Sequence, residues 1–187
     1  MEKRRLIIGL IAILAIPLYI WIAYVEIPGK AKVGEEKLQQ DPLKHDFGTV
    51  LDYKNDYMGD ASNTSGLFQS LPLNEYKGTI EMKPEEFYLL VHYEAKSAEL
   101  EGKAEQAVIY NSTAAFLLIN NLEKVNMAFL DESYVVTREN VMDWFGEDFG
   151  SLIDPEQFKG QVQKELRNSG KAEIEAWLNA YMKGEDR

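Results

Sequence analysis

What most limits this chain is an uncharged run of 20 residues at positions 6–25, LIIGLIAILAIPLYIWIAYV. A helix rising about 1.5 Å per residue covers roughly 30 Å over that length, the thickness of a bilayer hydrocarbon core. Gly9 and Pro17 interrupt the run, and both are tolerated in membrane helices. Tyr19, Trp21 and Tyr24 gather towards its C-terminal end, where amphipathic rings favour the lipid–water interface. Lys3, Arg4 and Arg5 precede the run and Glu26 follows it. The positive-inside rule then places the N-terminus in the cytoplasm and residues 26–187 outside. The expected localisation is the cell membrane, single-pass, with the bilayer contacted through residues 6–25. A cleaved signal peptide is the competing reading, because Gly29-Lys30-Ala31 offers a small-x-small site before Lys32. The apolar run is longer than a signal core of about 7–15 residues, which favours an uncleaved signal-anchor.

The remainder suffices for one domain. Residues 1–25 form the cytoplasmic tip and anchor; residues 26–45, with Pro28, Gly29, Gly34 and Pro42, read as a juxtamembrane linker; residues 46–187 read as the extracytoplasmic domain. Setting Lys3, Arg4, Arg5 and Glu2 aside from 20 basic and 31 acidic residues leaves 17 and 30, a net charge of −13. Such a surface repels nucleic acid and anionic lipid and keeps the domain soluble. The absence of cysteine removes disulfides, thiolate metal ligands, a cysteine nucleophile and an acylated cysteine. It leans towards a bacterial extracytoplasmic or an intracellular setting.

Local patterns predict an α+β domain: a mainly antiparallel four-stranded sheet, helices packed on one side of it, and helices at the C-terminus. Residues 62–71 read as a short helix closed by Pro72, with Asp60, Ser62 or Asn63 as its cap. Residues 77–82 and 86–93 read as a strand pair, with Phe87, Leu89, Val91 and Tyr93 on one face. Residues 104–121 read as a helix that Asn111-Ser112-Thr113 could split, and 125–130 and 133–137 as two further strands. Thr137 caps a helix over 138–145, and Asp154-Pro155-Glu156-Gln157 opens another. In the final helix Ile174, Trp177, Leu178, Tyr181 and Met182 form an apolar stripe that predicts burial of Trp177 and Tyr181.

Few residues point to chemistry. There are two histidines, His45 and His92, and neither sits in a zinc motif. Asp41, His45 and Asp46 make only a weak metal pattern, and the acids at 143, 147, 148, 154 and 156 lack calcium-loop spacing. No phosphate-binding glycine loop and no nucleophile elbow occurs. The sequence therefore assigns no catalytic residue, no cofactor and no metal ligand. Asn63-Thr64-Ser65 and Asn111-Ser112-Thr113 match the glycosylation triplet, a pattern that arises often by chance.

Tyr57-Met58-Gly59-Asp60-Ala61-Ser62-Asn63 with Leu71-Pro72-Leu73 resembles the opening of an uncharacterised extracytoplasmic domain family, a domain of unknown function from membrane-anchored proteins of Gram-positive bacteria. The resemblance extends through Tyr88–Tyr93, through Asn111 with 115–121, and through Tyr134-Val135-Val136-Thr137-Arg138, covering roughly residues 46–150. It implies no catalytic residues. Attachment of the domain to membrane sensor proteins among relatives implies sensing or binding. The polar loop 57–65, with Tyr57, Gly59, Asp60, Ser62 and Asn63, is the candidate functional surface. The leading expectation is thus a membrane-anchored binding or sensory module that meets another membrane or envelope protein. A carboxylate-dependent hydrolase of envelope polymers and a membrane-protein assembly factor are the alternatives.

Overall fold

The computed structural model describes residues 17–19, 21, 27–146 and 148–182. The chain divides into two units, Met1–Leu38 and Gln39–Arg187. In the first, residues 17–19 and 21 are helical. The rest of the expected membrane span over 6–25 lies outside the described residues. Among the described residues no helix is long and apolar enough to cross a membrane. Helix α1, Ile27–Gln39, occupies most of the stretch read as a juxtamembrane linker over 26–45. Pro28 falls in its first turn, where a missing N–H costs nothing.

The second unit begins at Gln39 rather than at Asp46. Residues 40–45 belong to it, with Pro42 and His45 buried. Helix α2, Ala61–Ser70, starts at an Asp60 cap whose carboxylate accepts the Asn63 N–H at 3.1 Å. Strands β1, Lys77–Lys83, and β2, Tyr88–Tyr93, pair antiparallel, with a register shift between Lys77 and Ile80. Helix α3, Lys103–Leu118, carries the chain over to β3, Lys124–Ala128, which therefore lies parallel to β2. Strand β4, Ser133–Thr137, returns antiparallel to β3. The sheet order is β1-β2-β3-β4, so the mixed α+β class with a four-stranded sheet is as expected.

Alternation decides which sheet face is inside. Leu89, Val91, Tyr93, Val125, Met127, Tyr134 and Val136 point to the core, while the residues between them stay partly or fully exposed. Phe87 departs from this pattern. It follows the turn Pro84–Glu86 in a left-handed conformation, with φ 51°, and is exposed at the hairpin tip instead of on the inner face.

Helix α3 is buried nearly all round, as a central helix should be when elements pack on every side of it. Asn111-Ser112-Thr113 do not split it. Thr113 returns its hydroxyl to the Ile109 carbonyl at 2.7 Å, and Asn111 donates to the Pro72 carbonyl at 3.0 Å.

The C-terminal elements follow the expected punctuation. Helix α4, Arg138–Phe145, opens with a capping box between Thr137 and Asn140. Asp154 accepts the N–H groups of Glu156 and Gln157, each at 3.0 Å, and Pro155 takes the first helical position. From there α5, Pro155–Phe158, passes through a π turn, Lys159–Gln163, into α6, Lys164–Asn168. Helix α7 is Lys171–Met182. Its Ile174 and Leu178 are buried, but Trp177 is only half-buried and meets Trp144 edge to face, centroids 4.1 Å apart. The expected burial of Trp177 is therefore partial, and the Tyr181 side chain lies outside the described residues.

Candidate functional site

The loop before α2 is built from its anchors outward. The Asn55 N–H donates to the Leu118 carbonyl at 2.7 Å, and the Asn120 N–H returns to the Asn55 carbonyl at 3.0 Å. This two-bond bridge fixes the loop to the end of α3. Asn121 then accepts the Met58 N–H at 2.7 Å, and Met58 is fully buried. Thr64 donates its hydroxyl to the Met58 carbonyl at 2.9 Å, closing the loop from the other side.

Of the five candidate residues, two are structural by geometry. Asp60 caps α2 with one oxygen and accepts from the Asn55 amide at 3.1 Å with the other. Asn63 donates its amide to the Tyr53 carbonyl at 2.7 Å. Ser62 and Gly59 lie at the surface, and a Cβ on Gly59 would meet nothing within 4 Å. Tyr57 is 69% exposed, while its own N–H is held by the Asn55 side chain at 3.0 Å. The loop is thus a rigid platform that projects one aromatic ring.

Arg138 is a residue whose role sequence reasoning missed. Its guanidinium donates to the carbonyls of Leu122, Phe116, Ile119 and Asn120 at 2.8–3.0 Å. Phe116 lies in the last turn of α3 and the other three in the turn that follows it, where a cation satisfies carbonyls in both charge and hydrogen bonding. Glu123 sits 3.4 Å from the Arg138 Nε. Burial lowers the Arg138 pKa, and the Glu123 charge opposes that shift. The signal available in sequence was the pair Asn120-Asn121 at a helix end, but nothing local pointed from there to Arg138.

A second polar node surrounds His45, which is 3% exposed. Its Nε2 lies 2.8 Å from the Ser70 carbonyl, and its Nδ1 lies 2.7 Å from the Tyr110 hydroxyl. A carbonyl only accepts, so Nε2 carries the ring proton and Tyr110 donates to Nδ1. Burial lowers the His45 pKa, with the Ser70 hydrogen bond and the Asp46 charge opposing it. Burial also pushes the Tyr110 hydroxyl well above its ordinary value. Gln163 donates to the carbonyls of Pro42 and His45 at 3.0 and 2.8 Å. Asp41 is engaged with Lys44, and Asp46 caps the turn that starts at Phe47. Asp41, His45 and Asp46 therefore do not turn towards a common point. His92 is at the surface, with Nε2 3.2 Å from Glu81.

No curated protein and no solved structure matches the chain significantly. The family comparison does find a match, and its limits coincide with features above. It begins at Val50, in the buried turn before the Asn55 bridge, and ends at Arg138, the side chain that closes α3. Over residues 50–138 the chain carries a domain of unknown function, DUF4825.

Proposed function

We propose that the protein is a membrane-anchored binding or sensory module whose domain faces outward and meets a protein partner through the loop around Tyr57. The anchor is the uncharged run 6–25 behind Lys3, Arg4 and Arg5. One observation carries the binding surface: the Tyr57 ring is 69% exposed on a loop whose backbone is pinned by Asn55, Asn121 and Thr64. A tyrosine held ready on a rigid support offers large contact area at small entropic cost, which is how interface anchors work. The net charge of −13 beyond Val25 disfavours nucleic acid as the partner.

The lack of cysteine makes the test clean. Leu130→Cys, at a 68% exposed position, should react with a membrane-impermeant maleimide on intact cells, and Glu2→Cys should not. The reverse pattern would overturn the orientation. A photoreactive residue at position 57 of the full chain should give one discrete protein adduct that is absent from the same probe at the exposed Glu85. Equal labelling from both positions would overturn the loop as the contact.

A further inference from the structure

The seam around His45 joins four separate stretches of the chain. His45 itself lies just after α1; Ser70 ends α2, Tyr110 belongs to α3, and Phe158, Gln163 and Arg167 come from the C-terminal helices. The strap 39–47 is held along its length. Gln40 donates to Asn74 at 2.7 Å and accepts the Leu73 N–H through its carbonyl at 3.4 Å. Arg167 donates to the Leu43 carbonyl at 3.2 Å, and Phe47 stacks on Phe158 with centroids 4.0 Å apart. His45 is the ionisable side chain buried in the middle of this strap.

The neutral imidazole fits its two partners with nothing left over. A second ring proton at Nδ1 would face the hydroxyl hydrogen that Tyr110 already directs there. The hydroxyl would have to turn away, and the ring of Phe158 stands edge-on to Tyr110 at 4.9 Å. Turned that way, the Tyr110 oxygen can accept from Nδ1, but its own hydrogen gives up the bond to the ring, and the buried cation is matched less well than the neutral imidazole. The charged groups around the seam do not repair this. Asp46 is adjacent and negative but caps Gly48; Glu156 lines the same cleft together with Lys44 and Lys159; Arg167 sits at the Leu43 carbonyl. Asp41, in the strap itself, is paired with Lys44 at 3.3 Å, so three acids are met by three bases and no net negative charge is left for an imidazolium; Tyr110 adds no charge.

We propose that the domain senses protons through His45: acid protonates the imidazole, and the strap 39–47 then parts from the seam while the sheet and α3 stay folded. The strap continues directly into α1 and the N-terminal apolar run, so its release changes the segment that links the domain to its anchor. The chemistry belongs to the domain alone and is independent of Tyr57. Its use in sensing the external medium rests on the outward orientation, which the maleimide experiment tests separately.

The sign of the effect is fixed by linkage. Released His45 takes up a proton at the ordinary imidazole value of 6.5, and seated His45 does so only at lower pH. The open strap therefore binds more protons between those two values, and acid favours it. Each pH unit lost within that window multiplies the open-to-closed ratio by about ten.

The test is hydrogen exchange read by mass spectrometry on the full chain in bilayer discs, from pH 7.5 down to pH 5, corrected for the intrinsic pH dependence of exchange. Peptides covering 39–53 should lose about tenfold protection per pH unit below roughly 6.5, while α3 and β2–β3 keep theirs. His45→Gln, whose amide can reproduce both hydrogen bonds, should flatten the response. In His92→Gln, which leaves one imidazole, the His45 ring nitrogen resonances should show the Nε2–H form at pH 7.5 and titrate together with strap opening. Strap protection independent of pH would overturn the proposal. So would an unchanged response in His45→Gln, or simultaneous loss of protection in strap, sheet and α3. If His45→Gln does not fold, the nitrogen titration decides alone: a ring that titrates while the strap stays protected refutes the switch.

Discussion

The end of α3 and the seam around His45 are both closed by a basic side chain set against backbone carbonyl groups, part-buried at Arg138 and buried at His45, yet pH can change only one of the two. Arg138 spends its donors on four carbonyls and remains charged at any physiological pH. His45 spends one donor on one carbonyl and uses its other nitrogen as an acceptor, an arrangement that only the neutral ring can make. The first closure lies within the stretch that matches the family model, and the second ties His45, which precedes that stretch, to Ser70 and Tyr110 inside it. The difference teaches that the end of α3 is held by a group whose charge is fixed, while the strap 39–47 is held by one that must stay neutral.

The largest effect expected tests whether the seam is a true part of the core. Phe158→Ala removes a fully buried ring that touches both Phe47 and Tyr110 and should cost roughly 3–5 kcal/mol in urea unfolding. A loss below about 1 kcal/mol would mean that the C-terminal helices are not coupled to the domain. Arg138→Ala should cost about 3 kcal/mol, because the carbonyls of Phe116, Ile119, Asn120 and Leu122 lose a charged partner. Arg138→Lys should recover only part of that, since an ammonium cannot reproduce the fork. Full recovery would mean that charge alone holds the helix end.

The pH dependence sharpens the contrast. The folded His45 value lies below 6.5, so its contribution is fully present above 6.5 and is lost as pH falls from there through the folded value. Urea midpoints of the wild type should fall across that window, and those of His45→Gln should fall less. Asp60→Ala, which removes the α2 cap, should cost about 1 kcal/mol. Tyr57→Ala should change stability by less than about 0.5 kcal/mol, the level of surface substitutions, which separates its binding role from folding.

Local rules recovered the local structure. Thr137 and Asp154 announce their helices because a cap and its partner lie within three residues of each other. The sheet follows from alternation in β2, β3 and β4. Phe87 was misplaced because a left-handed residue at a hairpin tip breaks the alternation without leaving a glycine as warning. Loop 57–63 was legible as a turn and a cap, but its clamp was not, since Met58 and Asn121 are 63 positions apart. His45 read as a linker residue for the same reason: its partner Tyr110 is 65 positions away. The half-burial of Trp177 shows the limit of a helical stripe, which indicates the side that packs but not how deeply each position sinks.

The irregular pairing at the start of β1 has a consequence for crowding. Strand β1 ends the sheet, so among the described residues one row of its backbone groups has no neighbouring strand. Many copies confined to one surface would meet at high local density, where a flat edge invites strand-by-strand growth into aggregates. The register shift between Lys77 and Ile80 bends that edge, and Lys77 and Lys83 place a positive charge at each end of it. A second copy approaching edge to edge would meet a kinked template and matching charges, so molecules can be packed side by side without their sheets fusing.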